Sequence, residues 1–178
     1  LNGLLTLPEN ITEPVPAVVF VHGSGSSNMD EKVGQLTPFK DLAEGLANKG
    51  IASIRYDKRS FAHGLKMVRD KSTIITIKEE TIDDAILATE LLKKDSRIDS
   101  HNIFIIGHSM GGMLAPRIDS EGGKYKGLII MAGTPRKLED VMLEQNEAVL
   151  SSTKGLVNWI VRKQVAKLSG LFSGLYEL

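Results

Sequence analysis

Asn102-Ile103-Phe104-Ile105-Ile106-Gly107-His108-Ser109-Met110-Gly111-Gly112 is the stretch on which the fold turns. Four apolar residues, three of them β-branched, run into Gly-His-Ser-Met-Gly, and a helical segment begins directly after. This is G-x-S-x-G between a strand and a helix, the setting in which a serine sits on a sharp turn with its hydroxyl above the sheet. Gly107 and Gly111 fit because a Cβ on either side of so tight a turn would clash. Ser109 is expected in a strained backbone conformation. The N-terminal N–H groups of the following helix then point at the same spot, where negative charge would develop on a substrate. Taken alone, the pentapeptide also fits a glycine-rich turn with an idle serine.

A second motif lies upstream. The continuous apolar run Ala17-Val18-Val19-Phe20-Val21 leads into His22-Gly23-Ser24-Gly25. With the serine turn, it resembles the α/β-hydrolase superfamily, in its bacterial serine esterase and acyl-peptidase-like branch. The resemblance implies that Ser109 is the nucleophile and that the backbone N–H groups of Ser24 and Met110 form the oxyanion hole. It also places His22, Gly23 and His108 against the substrate. The turn Asp57-Lys58-Arg59-Ser60 resembles the superfamily's Asp-x-Arg-Gly turn, with Ser60 where glycine is usual. Asp57 is expected to accept hydrogen bonds from turn N–H groups or to pair with Arg59, rather than to act as the catalytic acid.

Composition removes several function classes. The 178 residues include 22 basic and 22 acidic side chains, so no net field draws the chain to nucleic acid or to an acidic membrane surface. There are no cysteines, which excludes disulfides, cysteine-ligated zinc and a thiol nucleophile. No apolar run approaches the roughly 20 residues needed to cross a bilayer. Glu79, Glu80, Asp83 and Asp84 cluster near a helix start, where the macrodipole and solvation account for them better than a metal does. No metal and no cofactor is expected. The compartment stays open.

Strands and helices alternate along the first part of the chain. Leu4 to Leu7 reads as a short strand closed by Pro8, and the proline-bearing residues 8–16 as a loop. Thr37 and Pro38 read as N-cap and first turn of a helix that ends near Gly50. Ile51 to Tyr56 reads as a strand, residues 60–73 as a loop carrying a solvated His63, and Asp95 to Ser100 as a turn before a surface His101. Thr76 and Glu79 form a capping box for a helix from about Ile77 to Lys94, with Ile82, Ala85, Ile86, Thr89 and Leu92 on its inner stripe. Pro116 makes the helix after Ser109 short or kinked. Leu128 to Met131 is a further buried-type strand, and Thr134-Pro135 repeats the helix-start device.

Such alternation predicts an α/β fold with a doubly wound, mostly parallel sheet, whose sites lie at the carboxyl ends of the strands. Residues 1–134 form the N-terminal part of the hydrolase core in this reading. Residues 135–178 form a helical lid or cap segment, with one stripe at Leu138, Val141 and Met142 and another at Leu156, Trp159, Ile160 and Leu168. Trp159 and Met142 either line the substrate wall or make ordinary lid core.

The superfamily order is serine, then an acid, then histidine, yet no histidine follows Ser109. Two explanations compete: an N-terminal piece of a longer hydrolase, or a degenerate hydrolase that binds without reacting. The apolar strand 128–131 favours the first. Left as a bare edge it would invite pairing, so the missing C-terminal part or a second copy is expected to cover it. The function expected is hydrolysis of a carboxylic ester, a small-molecule acyl substrate. A peptidase, an acyl-CoA thioesterase and a non-catalytic binding module are the alternatives.

Overall fold

The computed structural model describes residues 1–69, 76–152, 154, 155, 158–160, 162 and 163. By internal contacts the chain divides into two units, Leu1–Thr134 and Pro135–Leu178.

In the first unit, β1 (Gly3–Thr6), β2 (Val15–Val21), β3 (Ala52–Tyr56), β4 (Ile98–His108) and β5 (Gly127–Met131) form one sheet. Among the described residues its order is β1-β3-β2-β4-β5. β1 runs antiparallel to β3; the pairs β2–β3, β2–β4 and β4–β5 are parallel. The helices are α1 (Pro38–Ala47), α2 (Arg59–Arg69), α3 (Asp83–Lys94) and α4 (Met110–Ile118). The result is the expected mostly parallel α/β sheet.

β2 shows why its sequence is apolar throughout. Successive side chains leave opposite faces of a strand. Ala17, Val19 and Val21 join one core cluster with Ile82, Ala85, Ala88 and Leu92 of the α3 region and Ala115 and Ile118 of α4. Val18 and Phe20 join another with Phe39 and Ala43 of α1. A strand covered on both sides has no polar face to show.

Several boundaries differ from the sequence reading. The segment from residue 60 is helical: α2 occupies Arg59–Arg69, and residues 70–75 lie outside the described residues. The Arg59 guanidinium pairs with Asp84 at 2.6 Å, not with Asp57, and this pairing ties α2 to α3. β4 begins at Ile98, inside the expected turn, because Ile98 already pairs with Val15 before the register shifts between Val15 and Ala17. Pro16 sits in that irregularity, where a missing ladder donor does little harm. Thr37 precedes α1 without capping it; its hydroxyl donates to Asp41 instead (3.1 Å). Past Thr134-Pro135 the helix starts only at Leu138.

The capping box is present: Glu79 Oε2 accepts from the Thr76 N–H (2.8 Å) and the Thr76 hydroxyl accepts from the Lys78 N–H (3.1 Å). The acidic cluster is neutralised locally, Asp83 by Lys78 and Asp84 by Arg59. Among the described residues no group of three His, Asp or Glu is placed to hold a metal, and no helix is long and apolar enough to cross a membrane. Pro116 lies inside α4, which closes two residues later into a wide turn over Asp119–Gly123, with Gly122 at φ 144°.

Among the described residues β5 is one edge of the sheet, and Leu128, Ile129 and Ile130 are 37%, 44% and 50% exposed. In the second unit α5 spans Leu138–Ser152, with Val141 and Met142 half-buried. Trp159 is exposed and carries the Lys163 ammonium over its ring at 4.1 Å. Leu156 and Leu168 of the second expected stripe lie outside the described residues.

Candidate active site

β2 and β4 are neighbours, so the loops leaving their carboxyl ends meet. Ser109 follows β4 directly, at φ 51° and ψ −116°. That is a positive φ outside even the small left-handed well open to residues with a Cβ. The conformation is held from both sides: the Ser109 N–H donates to Met131 O (2.8 Å), and Ser109 O accepts from Met113 N (3.0 Å). Met110 opens α4, so its N–H has no intrahelical carbonyl to bond.

The two glycines of the turn are needed for close approach. A Cβ on Gly107 would sit 2.3 Å from Gly111 O. A Cβ on Gly111 would sit 2.3 Å from Val21 O and 2.6 Å from His22 O. Gly111 therefore lets α4 rest on the end of β2, which brings the His22-Gly23-Ser24 turn beside the serine. A Cβ built on Gly23 would lie 3.3 Å from Ser109 Cβ and 3.4 Å from His108 Nδ1. The two motifs, 85 residues apart in sequence at His22 and Gly107, share one site.

The loop after β2 is held by polar contacts that the sequence reading did not single out. Glu31 reaches back so that its Oε1 accepts from the Gly23 N–H (2.8 Å) and bonds His108 Nδ1 (3.0 Å). Lys58 is buried to 2% exposure, and its ammonium donates to Gly23 O (2.8 Å). Asp57 Oδ1 accepts from the Met29 N–H (2.9 Å), a backbone donor as expected, though one in the β2 loop rather than in its own turn. The Lys58 N–H adds a bond to Ser27 O (3.0 Å). Glu31 and Lys58 carried no signal in the sequence: one is a charge among charges in Asp30-Glu31-Lys32, the other the middle of a turn read for its aspartate.

His22 departs from its expected place against the substrate. It is 2% exposed, its ring lying 5.2 Å from that of Phe39 and edge-on to Tyr56 at 5.7 Å. Its Nε2 donates to Asn28 O (2.9 Å). Burial pushes its pKa down to about 4, against the opposing pull of Glu31. The imidazole is thus a neutral brace beneath the loop. His108 keeps a partly open ring, 40% exposed. Ser24 is exposed. Trp159 and Met142 belong to the second unit. His63 lies in α2, and His101 on the surface of β4. Among the described residues no histidine bonds the Ser109 hydroxyl, and all four histidines precede it in the chain.

A family model described as serine aminopeptidase, S33, a hydrolase family, matches residues 12–171. The chain belongs to this family. Members share the α/β-hydrolase fold found here. Among curated proteins, the chain is 42% identical over 145 residues to Esterase EstD of Thermotoga maritima, a match covering 82% of this chain and 33% of that protein. The chain thus spans about a third of the length of this relative. Among solved structures, the Pyrococcus furiosus esterase Pf2001 superposes with a TM-score of 0.61 at 19% identity, over 95% of this chain and 62% of that one. Est1E from Butyrivibrio proteoclasticus, solved with ferulic acid bound, gives 0.54 at 20% identity, over 87% and 54%. At such identities the two structures speak for the fold.

Proposed function

We propose that this S33-family chain carries the nucleophile and oxyanion parts of a serine hydrolase that cleaves carboxylic esters. The observation behind the proposal is Ser109 at φ 51°, at the carboxyl end of the sheet, with the Gly23 turn against it. A serine kept in so costly a conformation fits presentation of its hydroxyl. The 42% identity to an esterase supports the ester over other acyl substrates.

Ser109 Oγ attacks the carbonyl carbon and passes its proton to a general base. The carbonyl π electrons move onto oxygen, where the N–H groups of Ser24 and Met110 receive the charge. Collapse expels the alcohol, protonated by the same base, and leaves an acyl-enzyme on Ser109. Water repeats the sequence and releases the acid. Neither the base nor its acid partner is assigned to a residue of this chain, in which no histidine follows Ser109 and whose match covers 33% of the esterase relative. No metal or cofactor enters this chemistry.

A fluorophosphonate probe on the full-length protein tests the reading. Covalent labelling of the wild type that vanishes in Ser109→Ala is expected. An unlabelled wild type, or labelling that survives the substitution, would overturn it. An amide substrate is the second reading, favoured by the aminopeptidase description of the family model. Parallel assays on p-nitrophenyl esters and aminoacyl p-nitroanilides separate the two.

A further inference from the structure

Gly23 is gripped at both of its peptide planes by charged side chains from elsewhere in the chain. Its N–H is held by Glu31, and its carbonyl oxygen by the Lys58 ammonium, 2.8 Å away in each case. The second bond bears directly on catalysis. Gly23 O and the Ser24 N–H are the two ends of one planar trans peptide, so they point in opposite directions. Whatever fixes the carbonyl fixes the direction of the N–H.

Without such a grip the plane is easily turned. Gly23 has no Cβ, so rotation about its own dihedrals meets little steric resistance, and Gly25 two residues on already sits at φ 85°. A flipped Gly23–Ser24 peptide would put a carbonyl oxygen where the oxyanion must go. Lys58 opposes this from a buried position at the end of β3, where its own N–H also anchors Ser27 O. Its side chain is 2% exposed, and Glu80 supplies the compensating charge at 4.0 Å. Burial lowers the Lys58 pKa, and Glu80 and Glu31 act to raise it.

We propose that Lys58 is a positioning residue for catalysis: it holds the Gly23–Ser24 peptide so that the Ser24 N–H faces the substrate oxyanion, and polarises that N–H through the carbonyl it binds. The proposal rests on the serine-hydrolase reading of Ser109. It explains a buried lysine whose ammonium donates to a glycine carbonyl beside Ser109.

The test uses the full-length protein and the near-isosteric Lys58→Met, which keeps the volume and removes the donor. Loss of an oxyanion donor typically costs a factor of 10² to 10³, so a misaimed one should lower kcat roughly 10- to 100-fold, with KM within about threefold. In a carbonyl-correlated amide NMR spectrum a single cross-peak reports the Ser24 N–H and the Gly23 carbonyl together. It should move upfield in both dimensions, as each loses its polarising partner. Lys58→Arg, which retains a cationic donor, should restore the peak and most of the lost kcat.

An unchanged kcat in folded Lys58→Met overturns the proposal, as does an unmoved Ser24 peak, or an effect carried wholly by KM. If Lys58→Met fails to fold, Lys58→Arg decides: a displaced peak with undiminished kcat overturns the proposal, and a retained peak with retained kcat supports it. A wild type that neither turns over esters nor takes up fluorophosphonate fails on Ser109 itself, a result distinct from any failure confined to the Lys58 variants.

Discussion

Replacing Ser109 by glycine should stabilise the protein while abolishing hydrolysis. The backbone at φ 51° and ψ −116° lies in a region that residues with a Cβ occupy only under strain, at a cost of about 1–3 kcal/mol. Glycine removes that strain. Against it stand about 0.4–1 kcal/mol of added unfolded-state entropy and about 0.5 kcal/mol for the burial of one half-covered carbon. The balance is about 1 kcal/mol in favour of glycine. Ser109→Ala is the matched control, because it also lacks the hydroxyl but keeps the Cβ and so the strain. Urea denaturation of the two variants at one pH measures the difference, with equal m values as the sign that only stability has changed. In a domain of this size the midpoint temperature should rise by about 2–4 °C per kcal/mol. Ordinarily alanine outranks glycine. Ser109→Ala as stable as Ser109→Gly, or more so, would mean that position 109 is not under the strain its backbone angles imply.

Two further predictions follow from the same site. Gly111→Ala should cost about 2–4 kcal/mol and displace α4 from the end of β2, since its Cβ would lie 2.3 Å from Val21 O, a backbone atom with nowhere to go; a denaturation midpoint within error of wild type would contradict the close-approach account. His22 should make stability fall in mild acid. Its folded pKa of about 4 lies below the ordinary 6.5, so between those pH values the unfolded chain takes up a proton that the folded one refuses, and stability drops as pH is lowered. The loss from this group is absent above about pH 6.5 and reaches about 3 kcal/mol near pH 4. His22→Gln should be less sensitive by about 2.5 kcal/mol between pH 7 and 4.5, as read from urea midpoints at those two values; an identical pH dependence would refute the assignment. Glu31, Lys58 and Asp57 surround the ring and are unchanged in that comparison.

The succession of elements was legible in the sequence because it rests on local rules. A run such as Ala17–Val21, short, rich in β-branched residues and apolar at every position, reads as a strand covered on both faces, and Gly107 and Gly111 around Ser109 announce a turn too tight for a Cβ. The serine, the two glycines and the His22-Gly23-Ser24 turn were all readable there, as was the apolar edge at Leu128–Ile130. One misread segment is where a tertiary contact outweighs local preference: Arg59–Arg69 is helical with Arg59 anchored on Asp84. The other is a choice between two local bonds, in which the Thr37 hydroxyl donates to Asp41 instead of capping α1.

The inner wiring of the site was decided by the folded chain alone. Glu31, Lys58 and His22 acquire their roles from bonds to Gly23, His108 and Asn28, and in two of these pairs the partners are 35 and 77 residues apart. Neither periodicity nor motif spacing registers such pairs. A charge in a loop has the same local signature whether it faces water or a buried glycine amide. What separates the two is desolvation, and desolvation exists only once β2, β3 and β4 have come together and closed water out.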